Sequence, residues 1–229
     1  MAGPQLCLVY PGQDPLPRVF CKVTNIPASP TLLPPLGLLS IAANYPEPVA
    51  IIDNRLDRLS DAALAEHLAG YPVVGFGGTI FEAAQARRVS ALLRARGVKT
   101  IYGGPNATVN WQLYAGSFDA VFRGEAERDL PEFVARLMAG TLRDWRELDI
   151  REEQGMLVNQ LTRRITGLDA LKPPDRTAVP LARYHRREDR FLPGVVPVDT
   201  VASSRGCPFD CGLCPHHAPF KLYWAMHRR

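Results

Sequence analysis

Cys207, Cys211 and Cys214 stand in a C-x3-C-x2-C arrangement within a stretch rich in Gly and Pro. Three thiolates this close on a turn-rich loop can each ligate one iron of a four-iron cluster. The fourth iron then stays open to a substrate or cofactor. Zinc suits thiolates equally, and a structural zinc site would need a fourth protein ligand, which His216 or His217 could supply. Three unliganded cysteines in a loop is the bland alternative. Cys7 and Cys21 are isolated, and five cysteines is an odd count. A secreted disulfide framework would want an even number, so the pattern fits a reducing cytosol and a metal site.

A second group of chemically useful positions is glycine-rich. Gly75-Phe-Gly-Gly-Thr79, Gly103-Gly-Pro-Asn106 and Gly124-Glu125 each follow a short apolar segment. Glycine at such places lets backbone approach a large ligand and tolerates positive φ. Each one taken alone also reads as a tight strand-to-helix turn. No G-x-G-x-x-G follows the first apolar segment, and no phosphate loop ending in Gly-Lys-Ser/Thr occurs, which argues against dinucleotide and nucleotide triphosphate sites.

The elements that must position these residues follow from the hydrophobic pattern. Strands are expected at Gln5–Tyr10, Val49–Asp53, Val73–Gly77, Thr100–Tyr102 and Ala120–Arg123, each short and unalternated, as in a parallel sheet buried on both faces. Helices are expected at Leu36–Asn44, Ser60–Leu68, Glu82–Arg96 and Leu130–Met138. In the third, Ala83, Ala86, Val89, Leu92 and Leu93 recur at helical spacing. Ser60 and Asp61 read as a helix start, Gly97 and Gly140 as stops. This alternation predicts an α/β fold with a doubly wound, Rossmann-like parallel sheet. Ligands of such sheets sit beyond the carboxyl ends of the strands.

The rhythm is lost over residues 141–197, where charged stretches surround the Pro-rich Lys172–Pro180. The expected organisation is a Rossmann-like domain over 1–145, a linker over 146–195 and a further segment over 196–229. With 229 residues, 46% hydrophobic and 22% charged, the chain has the balance of a globular protein. It has no apolar run long enough to span a membrane, no secretory signal, and a net charge of only +4 with scattered arginines. Membrane spanning and nucleic-acid binding are therefore not expected.

The stretch Asp199-Thr-Val-Ala-Ser-Ser-Arg-Gly-Cys-Pro-Phe-Asp-Cys-Gly-Leu-Cys-Pro215 resembles the radical S-adenosylmethionine (SAM) motif, departing at Leu213, where an aromatic residue is usual. Pro34–Ala43, Val49–Asp53, Val74–Thr79, Ile101–Pro105, Ala120–Glu125 and Leu168–Asp175 resemble, in that order, the segments of cobalamin-binding domains joined to radical SAM barrels. Asn106 departs from a histidine that is frequent there. The resemblance implies a cobalamin-dependent radical SAM protein, a methyltransferase acting on a small or biosynthetic substrate with an external electron donor. It further implies a [4Fe–4S] cluster on Cys207, Cys211 and Cys214. SAM would sit on the open iron, and cobalamin would be bordered by Thr79, Gly103, Gly104, Pro105 and Gly124. The axial-histidine motif of other cobalamin proteins is missing, and His67 reads as a solvated side chain. Val198–Ala202 would be the first barrel strand. A whole barrel needs about 200 residues, so 196–229 is expected to be only its start, without activity on its own. The alternatives are a non-catalytic corrinoid-binding module, a truncated product, or a zinc-binding interaction module. Gly104→Leu is expected to block the corrinoid's nucleotide tail while leaving the fold intact.

Overall fold

The structure, a computed structural model, describes residues 4–14, 33–160, 165–184, 199–206 and the backbone of 227–228. Its centre is a seven-stranded sheet built from β1 (Leu6–Tyr10), β2 (Val49–Asp53), β3 (Val73–Phe76), β4 (Lys99–Tyr102), β5 (Ala120–Val121), β6 (Arg151–Glu153) and β7 (Met156–Val158). The spatial order is β2-β1-β3-β4-β5-β7-β6. All neighbours pair in parallel except β6 and β7, which are antiparallel. The expected Rossmann-like α/β architecture is present. The order reverses at β1, which pairs with β2 on one side and β3 on the other, so a crevice opens at the carboxyl ends of β1 and β3.

Each strand of the centre feeds two cores because successive side chains point to opposite faces. Leu6 and Leu8 of β1 face one side, while Cys7 and Val9 face the other. On the first side lie α1 (Leu36–Asn44) and α6 (Leu130–Ala139), which contribute Leu38, Leu130, Phe133, Val134 and Leu137. The opposite side is covered by α3 (Asp61–Leu68) and α4 (Ala83–Arg94), through Leu64, Leu68, Ala86, Val89 and Leu93. Between them in the chain, the single-turn α2 (Asn54–Asp57) follows β2, and α5 (Pro105–Asn110) follows β4. A fully buried Leu, Val or Phe in these layers contributes about 1.5–3 kcal/mol of apolar burial. The buried thiol of Cys7 belongs to this core, and loss of hydration pushes its pKa up to about 12. Its chemistry is that of a small hydrophobe.

Helix ends follow local chemistry. Ser60 caps α3 by accepting from the backbone N–H of Ala63 at 3.3 Å. Gly140 closes α6 at φ 72°, and the following Thr141 N–H donates to the Arg136 carbonyl at 3.0 Å. Leu92 departs from its expected place in the apolar stripe of α4, with 39% of its surface exposed. It lies about half a turn around the helix from Ala83, which points it to solvent.

The β6–β7 hairpin lies in the stretch read as linker, and β7 pairs directly with β5. Just beyond β5, Asn159 takes over the ladder. Its Oδ1 accepts from the Arg123 N–H at 2.7 Å and its Nδ2 donates to the Arg123 carbonyl at 3.0 Å. That side chain satisfies the backbone that a longer strand would have paired, so β5 ends at Val121.

Among the described residues no barrel is formed. Residues 199–203 form no strand, and Ser204–Arg205 (β8) pairs with His227–Arg228 (β9) in a separate two-stranded ribbon. Of the expected strand at Val198–Ala202, Val198 lies outside the described residues, and over residues 199–202 no strand forms. The Thr200 N–H donates to the Asp199 carboxylate at 2.7 Å and the Thr200 carbonyl accepts from Arg176 at 2.6 Å, so side chains occupy its backbone groups. Among the described residues no helix is long and apolar enough to cross a membrane.

Candidate functional site

Two adjoining cavities open at the carboxyl ends of the parallel strands, with Gly104 in the wall of both. The first, about 520 Å³, is bounded by apolar groups from β1, α1, β4 and α6, and by the turns Gly77–Thr79 and Gly103–Pro105. Its polar wall groups are few: Tyr10, Arg55, Thr79 and Thr200. The second, about 600 Å³, is bordered by Gly124 and carries Ser40, Glu125, Glu127, Lys172, Arg176 and Arg205. The structure thus brings the five expected cofactor-binding positions together: Thr79, Gly103 and Pro105 in the first wall, Gly124 in the second, Gly104 in both.

The turns have specific supports. Thr79-x-x-Glu82 has the form of a capping box. The Glu82 carboxylate, 1% exposed, accepts from the Thr79 N–H at 2.6 Å, the Thr79 hydroxyl at 2.7 Å and Gln13 Nε2 at 2.5 Å. The Thr79 hydroxyl proton is therefore committed, leaving Thr79 able only to accept from a ligand. Sequence reading overlooked Glu82, although the Thr-x-x-Glu spacing marks it. Gly104 sits at φ 92°, ψ −174°, a region open essentially to glycine alone. A Cβ there would come to 3.3 Å from the Gly78 carbonyl oxygen. The expectation that Gly104→Leu would leave the fold undisturbed is thereby corrected: the fold is retained but strained, because the position is a tight approach of two turns.

At the rim, Asp53 ends β2 and is 5% exposed. Arg55 grips it through Nε at 2.8 Å and Nη2 at 2.5 Å, and the Tyr184 hydroxyl donates to it at 2.8 Å. Burial, then the Asp53 charge, pushes the Tyr184 phenol well above its ordinary range. The Arg55 guanidinium also stacks over the Tyr10 ring at 3.9 Å from its centroid.

In the second cavity Arg205 bridges two carboxylates, Glu125 at 2.9 Å and Glu127 at 2.5 Å. The Ser40 hydroxyl donates to Glu127 at 2.8 Å. Burial pushes the Glu127 carboxyl up, but the Arg205 hydrogen bond and charge outweigh it and hold the group below its usual range. These charges are paired with one another. Sequence reading placed Arg205 only as a residue preceding the first cysteine and assigned no role to Glu127.

Cys207, Cys211 and Cys214 lie outside the described residues, as do His216 and His217. Among the described residues no group of His, Cys, Asp and Glu could hold a metal ion. His67 is exposed on α3.

No known family model matches the chain. It is similar to an uncharacterized methyltransferase of Pyrococcus horikoshii, 29% identical over 209 residues, covering 85% of this chain and 43% of that protein. It is also similar to an uncharacterized methyltransferase of Synechocystis, 27% identical over 212 residues, covering 90% of this chain and 34% of that protein. The chain spans less than half the length of either relative. These names overturn the expected membership of the cobalamin-dependent radical SAM family, since both relatives are named uncharacterized methyltransferases and point to a plain methyltransferase family. Glycine-rich strand ends serve many ligands on this architecture, so their order along the chain was a weak guide to kinship.

Proposed function

We propose that the chain belongs to a methyl-transfer system with SAM as methyl donor, and that the strand-end cavities are its ligand site. The observation that carries this is the pair of matches to methyltransferases, which extend over 85% and 90% of this chain.

The two cavities are not suited alike to the donor itself. SAM is polar along its whole length, and its hydroxyls, carboxylate and cations need partners when buried. The first cavity has no acidic side chain in its wall, and the acid that ends β2, Asp53, is held by Arg55 and Tyr184. Glu125 and Glu127 in the second are engaged by Arg205. These walls fit SAM poorly. What they do fit is a broad ligand with an apolar face and hydrogen-bonding groups at its edge, held against bare backbone at Gly103, Gly104 and Gly124, with Thr79 accepting and Pro105 shaping the turn. Cobalamin is the candidate of that chemistry, and the missing axial histidine makes it a ligand bound without protein imidazole. Cys207, Cys211 and Cys214 are proposed as metal ligands on their spacing, with a [4Fe–4S] cluster as the metal and an external electron donor as its partner. The substrate is proposed to be a small or biosynthetic molecule and the compartment cytoplasmic.

Calorimetric titration of the full chain with SAM is the test of the donor. Saturable binding that survives Gly104→Leu is expected, because the donor is held away from the strand-end turns. Absence of SAM binding would sink the methyl-transfer reading. A parallel titration with hydroxocobalamin should saturate in the wild type and fail in Gly104→Leu. Iron analysis after anaerobic reconstitution tests the cysteines: about four irons per chain are expected, and stoichiometric zinc without iron would defeat the cluster.

A further inference from the structure

Residues 199–205 cross the ends of the parallel strands, held at both ends by ion pairs. Arg176 binds the Asp199 carboxylate at one end, and Arg205 is gripped by Glu125 and Glu127 at the other. Between these anchors Thr200 enters the wall of the apolar cavity, but it offers a ligand nothing polar. Its N–H is paired with Asp199, its carbonyl with Arg176, and its hydroxyl is shut away from the surface. The hydrogen-bonding capacity of that wall therefore rests on three side chains, Tyr10, Arg55 and Thr79. Arg55 commits Nε and Nη2 to Asp53, and Nη2 also donates to the Leu33 carbonyl at 2.9 Å. Its Nη1 has no partner among the described residues, and neither has the Tyr10 hydroxyl. Both atoms keep exposed surface, because Thr200 Oγ1 is the single side-chain atom of the described residues that is buried and unpaired.

With the guanidinium 3.9 Å over the Tyr10 ring centroid, these two free donors belong to one stack. Burial, then the Glu82 charge, raises the Tyr10 phenol, so it keeps its proton near neutrality and can donate it. Thr79 is exposed and can only accept, since Glu82 holds its hydroxyl proton. The charge of Arg55 is already matched by Asp53. An entering anion would leave a net negative charge in an apolar wall, which is costly, whereas a carbonyl oxygen accepts the same hydrogen bonds without adding charge. The volume of about 520 Å³ is that of a small-molecule site. We propose that this cavity binds an uncharged carboxamide with an apolar body. The carbonyl oxygen accepts from the Tyr10 hydroxyl and Arg55 Nη1, the amide N–H donates to Thr79, and the body lies against Leu6, Leu8, Phe122 and Leu130. This rests on the reading of the cavity as a ligand site and names the chemistry of what enters it.

Displacement of the apolar fluorophore N-phenylnaphthylamine from the full chain tests the assignment, with nonanamide as the carboxamide and nonanoate as the anion of equal chain length. Nonanamide should bind about tenfold more tightly than nonanoate at neutral pH. Tyr10→Phe keeps the ring and its stack and removes only the hydroxyl, so it should weaken nonanamide about fivefold. The same variant should unfold within about 1 °C of the wild type, because the hydroxyl has no partner to lose. Equal or tighter binding of nonanoate would overturn the uncharged ligand, and undiminished nonanamide binding by Tyr10→Phe would overturn the role of the donors. A Tm lowered by several degrees would show that the hydroxyl is paired in the folded protein, with the same consequence. A fluorophore that binds but resists nonanamide would refute the proposal while leaving the cavity reading intact. Failure of the wild type to bind the fluorophore would take both down.

Discussion

The two cavities at the strand ends share Gly104 yet differ in kind. One is walled by leucines, glycines and prolines with four polar side chains among them; the other carries five charged side chains, of which Arg205 bridges Glu125 and Glu127. The apolar one keeps a polar atom without a partner, Thr200 Oγ1, while in the charged one Glu127 and Glu125 are both satisfied. The lesson is that charge count and binding capacity run opposite here. The charged wall is occupied with holding the chain together, and the sparse wall is the one free to meet a ligand.

Removing the bridging cation should break this comparison most severely. Arg205→Met leaves two carboxylates facing each other in a largely buried place, at a cost of about 3 kcal/mol. Tm is expected to fall by about 6–12 °C. The pH dependence should invert as well. In the wild type the Glu127 pKa lies below its ordinary 4.5, so its contribution is present above that value and lost as pH falls through the lowered one. In Arg205→Met the Ser40 and backbone hydrogen bonds to Glu127 remain, but burial is the largest cause and now outweighs them, raising the pKa, so stability should recover as the solution is acidified from neutrality. Urea unfolding at several pH values reads both arms, and a variant that only weakens on acidification would contradict the pairing argument.

The shared wall gives the next effect. Gly104→Leu forces a side chain into a glycine-only conformation against the Gly78 backbone, costing about 2 kcal/mol. Tm is expected to drop by about 4–8 °C with folding retained, and an unchanged Tm would mean that the two turns are not in close approach.

The smallest effect lies far from either cavity. Arg88 pairs with Asp14 and Asp61, but its side chain is 47% exposed. Those hydrogen bonds raise its pKa, yet solvent screens the interaction, and Arg88→Ala should cost less than about 1 kcal/mol. The loss should shrink further in high salt. A larger, salt-insensitive loss would place the surface network on a level with the buried one and erase the contrast.

Much of the sheet was legible because its strands are apolar on both faces and its helices amphipathic. β2 and α1 fall at their expected bounds, and β1, β3, β4 and α6 lie within a residue of theirs. β6 was not legible. Arg151–Glu153 is polar and exposed, and only pairing with Met156–Val158 makes it a strand. β5 was read too long, since nothing in Phe122 and Arg123 announces that Asn159 replaces the neighbouring ladder. The glycines of the site were visible as punctuation. What they surround was hidden, because Glu82, Asp53 and Glu127 acquire their roles from partners 2 to 131 positions away in sequence.

The crossing segment at 199–205 is fastened twice, by Arg176 at one end and by Arg205 at the other. Two fastenings on one short piece of chain act like a bivalent attachment. While either holds, the other re-forms at high effective concentration, so single ruptures are brief and self-correcting. Full detachment requires both to be open at once, and where the two are independent their opening free energies add. Proteolytic cleavage between Val201 and Ala202, both exposed, should therefore follow the rare double event. Loss of one arginine would convert a bridge into a pivot, with cleavage accelerating most at the residues nearest the freed end.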